Sequence, residues 1–258
     1  ASTFLDNIGN LNMLLVSAIL LLAPVPIMAR LDKLRATALG NEDGTADLLR
    51  GDRLSANPFS GFKILVSDRY LLWISLFILL YVTMATFLYF EIRNPLGDLD
   101  QVRRAQIWAN IDFFVNTLAA ITAFLATGRL ATWLGMPKTL SLIPGIMVVA
   151  WLVVAIHPAA ITVFVVQVIR RAGNYSITRP GREMLFTLVD NEARYKSKPV
   201  IDTVVYRGGD LVTAWFYTGV VSAFSLGLVG VSIVGAVIAV VWAAVGFHLG
   251  RMYNREHV

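Results

Sequence analysis

The chain has 258 residues, 57% of them hydrophobic and 15% charged, with a mean hydropathy of +0.66. A soluble domain of this length has too little interior to hide so much apolar surface, so the bilayer must serve as solvent. The net charge of +5 and the pI near 9.6 do not argue for nucleic acid, because the basic residues follow a membrane-orientation pattern. The absence of cysteine excludes thiolate metal sites and disulfides.

The first ten residues are polar and mixed, with no basic n-region and no small-residue cleavage site, so no signal peptide is expected. The chain does not begin with methionine, which leads us to expect either processing or a start partway through a longer polypeptide. A membrane helix needs roughly 20 apolar residues. Seven runs qualify, at about 11–29, 70–92, 106–127, 139–156, 158–177, 208–229 and 231–250. The runs are continuous and not alternating, which indicates helices and not a barrel. His157-Pro158 is where the long stretch over 139–177 divides, because proline lacks the helix donor and disfavours the helical conformation before it.

The first run (1–29) opens at Arg30 into a charged segment over 30–69, which reads as a cytoplasmic linker to a six-span unit over 70–258. Placing 30–69, 128–138, 170–207 and the C-terminal tail on one side collects nineteen lysines and arginines there, against Arg93, Arg103 and Arg104 opposite. The C-terminus is then cytoplasmic.

Within the spans, charge is expensive and tends to face a polar cavity. Asp112, with Asn116 one turn on, forms a polar stripe suited to a coupling proton or a cationic substrate group, or else to pairing with a neighbouring helix. Arg170, Arg171 and Asn174 stand near the inner end of their span. Guanidinium groups deep enough to reach a cavity suit an anionic substrate, whereas at the helix end they serve as a stop signal. Tyr81, Phe87, Tyr89 and Phe90 read as interface belt and packing rather than as a stacking site.

Between the fifth and sixth of these runs lies the block RPGREMLFTLVDNEARYKSKPVIDTVVYRGGD. Pro180 suits a helix start, and Met184, Leu185, Leu188 and Val189 supply an apolar stripe for a short amphipathic helix followed by a re-entry into the membrane, within a cytoplasmic block over 179–207. Its charges would lock a cytoplasmic gate or anchor to anionic lipid. Scattered histidines, the lack of a phosphate-cradling glycine loop and the lack of a lysine within a span argue against an enzyme, a metal site, a cofactor or a retinal protein.

Two segments carry a family resemblance. GRLATWLGMPK, with Gly128 and Gly135, resembles the loop between the second and third helices of each half in the major facilitator superfamily, although Thr132 and Trp133 stand where Asp-Arg is usual. In the block, Arg179-Pro180, Arg182-Glu183-Met184, Asp190, Glu192, Lys196, Lys198, Ile201-Asp202 and Arg207-Gly208-Gly209 resemble the nucleotide translocase (ATP:ADP antiporter) branch of that superfamily. The resemblance implies an all-α polytopic protein of twelve spans, with this chain supplying the sixth span and the C-terminal half. It implies a secondary transporter of the bacterial inner membrane, with Arg179, Arg182, Glu183, Asp202, Arg207, Asp210, Gly128 and Gly135 at a cytoplasmic gate. A missing N-terminal half or a partner subunit would complete it, and the cargo would be a nucleotide or another organic anion. The competing expectation is a non-transporting scaffold or assembly subunit of a larger membrane complex.

Overall fold

A computed structural model describes residues 15, 18, 19, 21, 22, 24–39, 60–125 and 127–256. Two units divide the chain, Ala1–Asn57 and Pro58–Val258. In the first, helix α1 runs from Pro24 to Leu39 and includes Pro24 and Pro26. The helix therefore passes well beyond Arg30, where the sequence reading ends the span. Residues 11–14, 16, 17, 20 and 23 of the expected 11–29 span and residues 40–59 of the linker lie outside the described residues.

The second unit is helical throughout its described residues apart from short turns. Helix α2 (Ser60–Ser67) leads into α3 (Arg69–Leu96), whose start is fixed by Asp68. The Asp68 carboxylate accepts the Tyr70 N–H at 2.7 Å, satisfying a donor that has no partner within the helix. After a turn come α4 (Gln101–Leu125) and α5 (Thr127–Ile156). α5 is broken at Gly135, where φ 71 and ψ 165 suit a residue without Cβ, so the expected loop over 128–138 is helix on both sides of one kink. The helix ends at Ile156 and the next begins at Ala160, bracketing His157-Pro158 as expected.

The remaining helices depart from the sequence reading. α6 (Ala160–Gly173) does not end at its arginines. A π turn over Asn174–Thr178 carries it into α7 (Arg179–Leu185), with the Arg179 N–H donating to the Asn174 carbonyl five residues back. Pro180 follows directly, and the wider turn makes room for a ring that would otherwise press on the Ser176 carbonyl. After the turn at 186–190, α8 (Asn191–Val200) passes through a second π turn (Ile201–Val205) into α9 (Tyr206–Phe224). The block is thus a helical hairpin whose limbs continue into the long helices on either side, not a separate surface helix. Ser225, at φ 48, closes α9, and α10 (Leu228–Glu256) completes the unit.

Among the described residues, four helices are long and apolar enough to cross a membrane: Arg69–Leu96, Gln101–Phe124, Trp133–Ile156 and Leu228–Arg255. They mark an integral membrane protein. The core lies between α3, α5 and α10, where Phe77, Trp151 and Trp242 are fully buried and the Trp151 indole donates to the Met84 sulfur at 3.3 Å. Glycine makes the α5–α10 approach possible: a Cβ at Gly250 would sit 2.4 Å from the Pro137 Cα. Backbone contact of this kind is how membrane helices gain packing when lipid offers no hydrophobic drive between them.

Candidate functional site

Continuation of α6 through its π turn moves Arg170 and Arg171 from a helix end to the middle of a long helix. At 1.5 Å per residue they lie roughly 15 Å from Ala160. Asp112 in α4 and Thr86 in α3 stand at about the same depth from their ends on that side, and Asp210 in α9 roughly 20 Å from Phe224. These residues therefore stand at comparable depth within the helical unit.

All but Asp112 line a cavity of about 570 Å³, together with Gln167 and with Tyr89, Phe90 and Trp108 as its aromatic wall. Each charge is held differently. Arg171 Nη1 donates to Asp112 Oδ1 at 2.6 Å, joining α6 to α4. Thr86 donates to Asp210 Oδ1 at 3.2 Å, and Arg207 reaches the other carboxylate oxygen only at 4.0 Å, with its own side chain 79% exposed. Arg170 is 4% exposed. Its Nε donates to Gln167 Oε1 at 3.1 Å and its guanidinium lies 5.6 Å from the Tyr81 ring centroid. Its Nη1 is buried with no hydrogen-bond partner. A buried cationic donor left unmatched is costly, and such groups call for an anionic or carbonyl acceptor.

The cavity adjoins a second one of about 610 Å³, which shares Tyr89, Phe90 and Trp108 and carries Arg93, Asn94 and Arg104 nearer the helix ends. Two guanidinium groups at the mouth and two at the base make the approach cationic, with aromatic faces between. Close by, Tyr217 donates to Glu91 Oε1 at 2.6 Å, and Glu91 is 6% exposed. Phe90 stacks on the Tyr217 ring at 4.6 Å.

A second cluster occupies the hairpin end. Arg182 approaches Glu183 at 3.5 Å and Asp202 at 3.6 Å, while Lys198 bonds Glu183 and lies 5.4 Å from the Phe186 ring centroid. These contacts tie α7 to α8 and to the second π turn. Burial raises the pKa of the Glu183 carboxyl, but the Lys198 hydrogen bond and charge, with Arg182, outweigh it and hold it below the ordinary value.

The expected site residues therefore sort differently. Asp112, Arg171, Arg170 and Asp210 converge at mid-depth, although Asp210 was placed with the gate and the arginines near the helix end. Asn116 is exposed on α4 and Asn174 opens the π turn; neither lines the cavity. Arg182, Glu183 and Asp202 come together as a gate network would, whereas Arg179 is exposed at the start of α7 and Arg207 is mostly solvent-facing. Gly135 forms the kink. Gly128 is helical, and its surroundings lie outside the described residues. Tyr81 and Phe90 do more than pack, one under Arg170 and the other in the cavity wall. Gln167, Thr86 and the Glu91–Tyr217 pair were missed. For Glu91 the signal was present, a carboxylate beside the long apolar run of α3. Comparison with family models, curated proteins and solved structures finds no match to this chain.

Proposed function

We propose that this chain forms the C-terminal half of a secondary transporter of the major facilitator type, and that it carries a nucleotide or another organic anion. The observation that supports this best is the buried Arg170 guanidinium, whose Nη1 lacks a partner beside a mid-depth cavity. A transport site needs a charged group stable enough to remain buried and unsatisfied enough to capture cargo at the bilayer midplane. Arg171, held by Asp112, adds a second cation, and the aromatic wall offers a face to an organic moiety. The block's residue order supports the nucleotide translocase branch.

In this reading the hairpin cluster of Arg182, Glu183, Lys198 and Asp202 is the gate, and alternating access rocks one half against the other. The asymmetry of basic residues supports an inner-membrane protein with a cytoplasmic C-terminus, and leaving Arg170 and Arg171 out of the count does not change its sign. α4 supports a missing companion: only 11% of its apolar window is buried, yet it exposes Asn110 and Asn116. Polar side chains on such a helix need cover from another half or a partner subunit.

The test is exchange of labelled nucleotides and organic anions by the intact protein, purified from its own membrane and reconstituted in liposomes. Arg170→Gln should abolish exchange while leaving helix content and purification behaviour unchanged. Wild-type protein with no exchange of any anion would sink the transport reading. The same exposed face of α4 favours one alternative, a non-transporting scaffold or assembly subunit. Copurification with an enzyme complex through α4, together with absent exchange, would establish it.

A further inference from the structure

Three cations at the hairpin end of the unit take no part in the network just described. Pro137 and Gly250 mark the tightest crossing of α5 and α10, and the next residues in sequence, Lys138 and Arg251, line one cavity of about 650 Å³. Arg255, one turn beyond Arg251, completes the basic set, and Asn254 and Phe247 share the wall. The kink at Gly135 lies just before the crossing, and Gly135 itself forms part of the lining.

No carboxylate among the described residues lines this cavity, and none of the ion pairs among them involves these three cations. The Arg251 guanidinium lies 5.4 Å from the Phe247 ring centroid. Stacking one face on an aromatic ring leaves the N–H edge free to fork onto an oxyanion. Converging positive charges of this kind repel one another until an anion sits between them.

Two observations select a lipid over a soluble anion. The cavity lies at the ends of the two most apolar candidate membrane helices, at the level where headgroups meet protein. From it an apolar strip of Phe247, Val240 and Ile233 descends along α10 at seven-residue spacing, with exposures of 42%, 53% and 53%. That spacing keeps all three on one helix face, which suits an acyl chain. Trp133, 80% exposed, lies just before the kink, where an interfacial indole is expected.

We infer that this cavity binds the headgroup of an anionic phospholipid, with Lys138, Arg251 and Arg255 holding the phosphate oxygens and the Phe247–Ile233 strip carrying an acyl chain. The assignment does not depend on whether the chain transports. Three cations exceed the single charge of one phosphodiester. A two-phosphate lipid such as cardiolipin therefore binds more tightly than phosphatidylglycerol, and both bind more tightly than phosphatidylcholine.

Native mass spectrometry of the full chain in detergent, titrated with these three lipids and separately with inorganic phosphate, tests it. The expected result is cardiolipin retained about a hundredfold over phosphatidylcholine, with roughly fivefold lost for each cation removed. Lys138→Gln alone, at an exposed position, should show that first step with circular dichroism unchanged. The K138Q/R251Q/R255Q variant should fall to the phosphatidylcholine level, and the R93Q/R104Q pair at the opposite end should bind as wild type. Undiminished cardiolipin selectivity in Lys138→Gln and in a folded triple variant would overturn the site. Inorganic phosphate binding as tightly as the lipids would overturn the lipid as its occupant.

Discussion

The two charge clusters of the second unit use the same chemistry and reach opposite balances. At the hairpin end, Arg182, Glu183, Lys198 and Asp202 neutralise one another over short sequence distances, with carboxylates 39% and 38% exposed, although the Arg182 Nε is itself buried without an acceptor. At mid-depth, Arg171 must cross to another helix to find Asp112, and Arg170 keeps a buried nitrogen with no acceptor. The first arrangement stabilises the place where two limbs meet. The second leaves Arg170 with no carboxylate partner among the described residues, where an anionic ligand can supply one. Identity of residue says little about role; depth and completeness of pairing say more.

Arginine-to-methionine exchange at both places gives the largest contrast. Arg170→Met removes a buried cation with an unmatched donor and keeps the side chain's length, so the ligand-free protein should gain about 1–2 kcal/mol. Arg182→Met should lose about 1 kcal/mol, because Asp202 and Glu183 each lose a partner. Reversible unfolding in mixed micelles measures both. Equal signs for the two variants would break the distinction drawn between the clusters.

The Glu91–Tyr217 pair offers a third balance, a buried carboxylate with a hydroxyl as its donor. Tyr217→Phe keeps the ring stack with Phe90 but removes that donor, and should cost about 1.5 kcal/mol. The Arg171–Asp112 pair should yield less, because the Asp112 side chain is 51% exposed. A double-mutant cycle with Arg171→Gln and Asp112→Asn should give a coupling of about 1 kcal/mol. A coupling near zero would mean that the bond does not join α4 to α6.

Much of this architecture was legible because it rests on local chemistry. His157-Pro158 divides two helices for lack of a donor, and hydropathy alone locates the apolar cores of the long helices. The mid-depth site was not legible, for a physical reason. The span read over 158–177 put Arg170 and Arg171 near its inner end, because counting apolar residues stops at the polar block that follows. What keeps the helix going is non-local: Asp112 is 59 positions away from Arg171, and the π turn accommodates Pro180 beyond them. The same error separated Asp210 from its cavity and made the block a surface helix. Glu91 escaped because it stands close to Asn94-Pro95, where the apolar run is already ending.

The smallest expected effect concerns pH at the hairpin. Folding lowers the Glu183 pKa: burial opposes the charge, but Lys198 and Arg182 more than offset it. A carboxyl with a depressed folded pKa contributes stability above its unfolded value, and that contribution fades as pH falls through the folded one. Acidification below the ordinary glutamate range should therefore loosen the contact between α7 and α8. Hydrogen exchange of α7 and α8 amides, compared with α4 and α6 across that range, reads the two separately. Glu183→Gln should remove the acid-dependent step at the hairpin without changing the other region. If both regions loosen together in that variant, the clusters are one cooperative unit, and their different pairing does not make them independent.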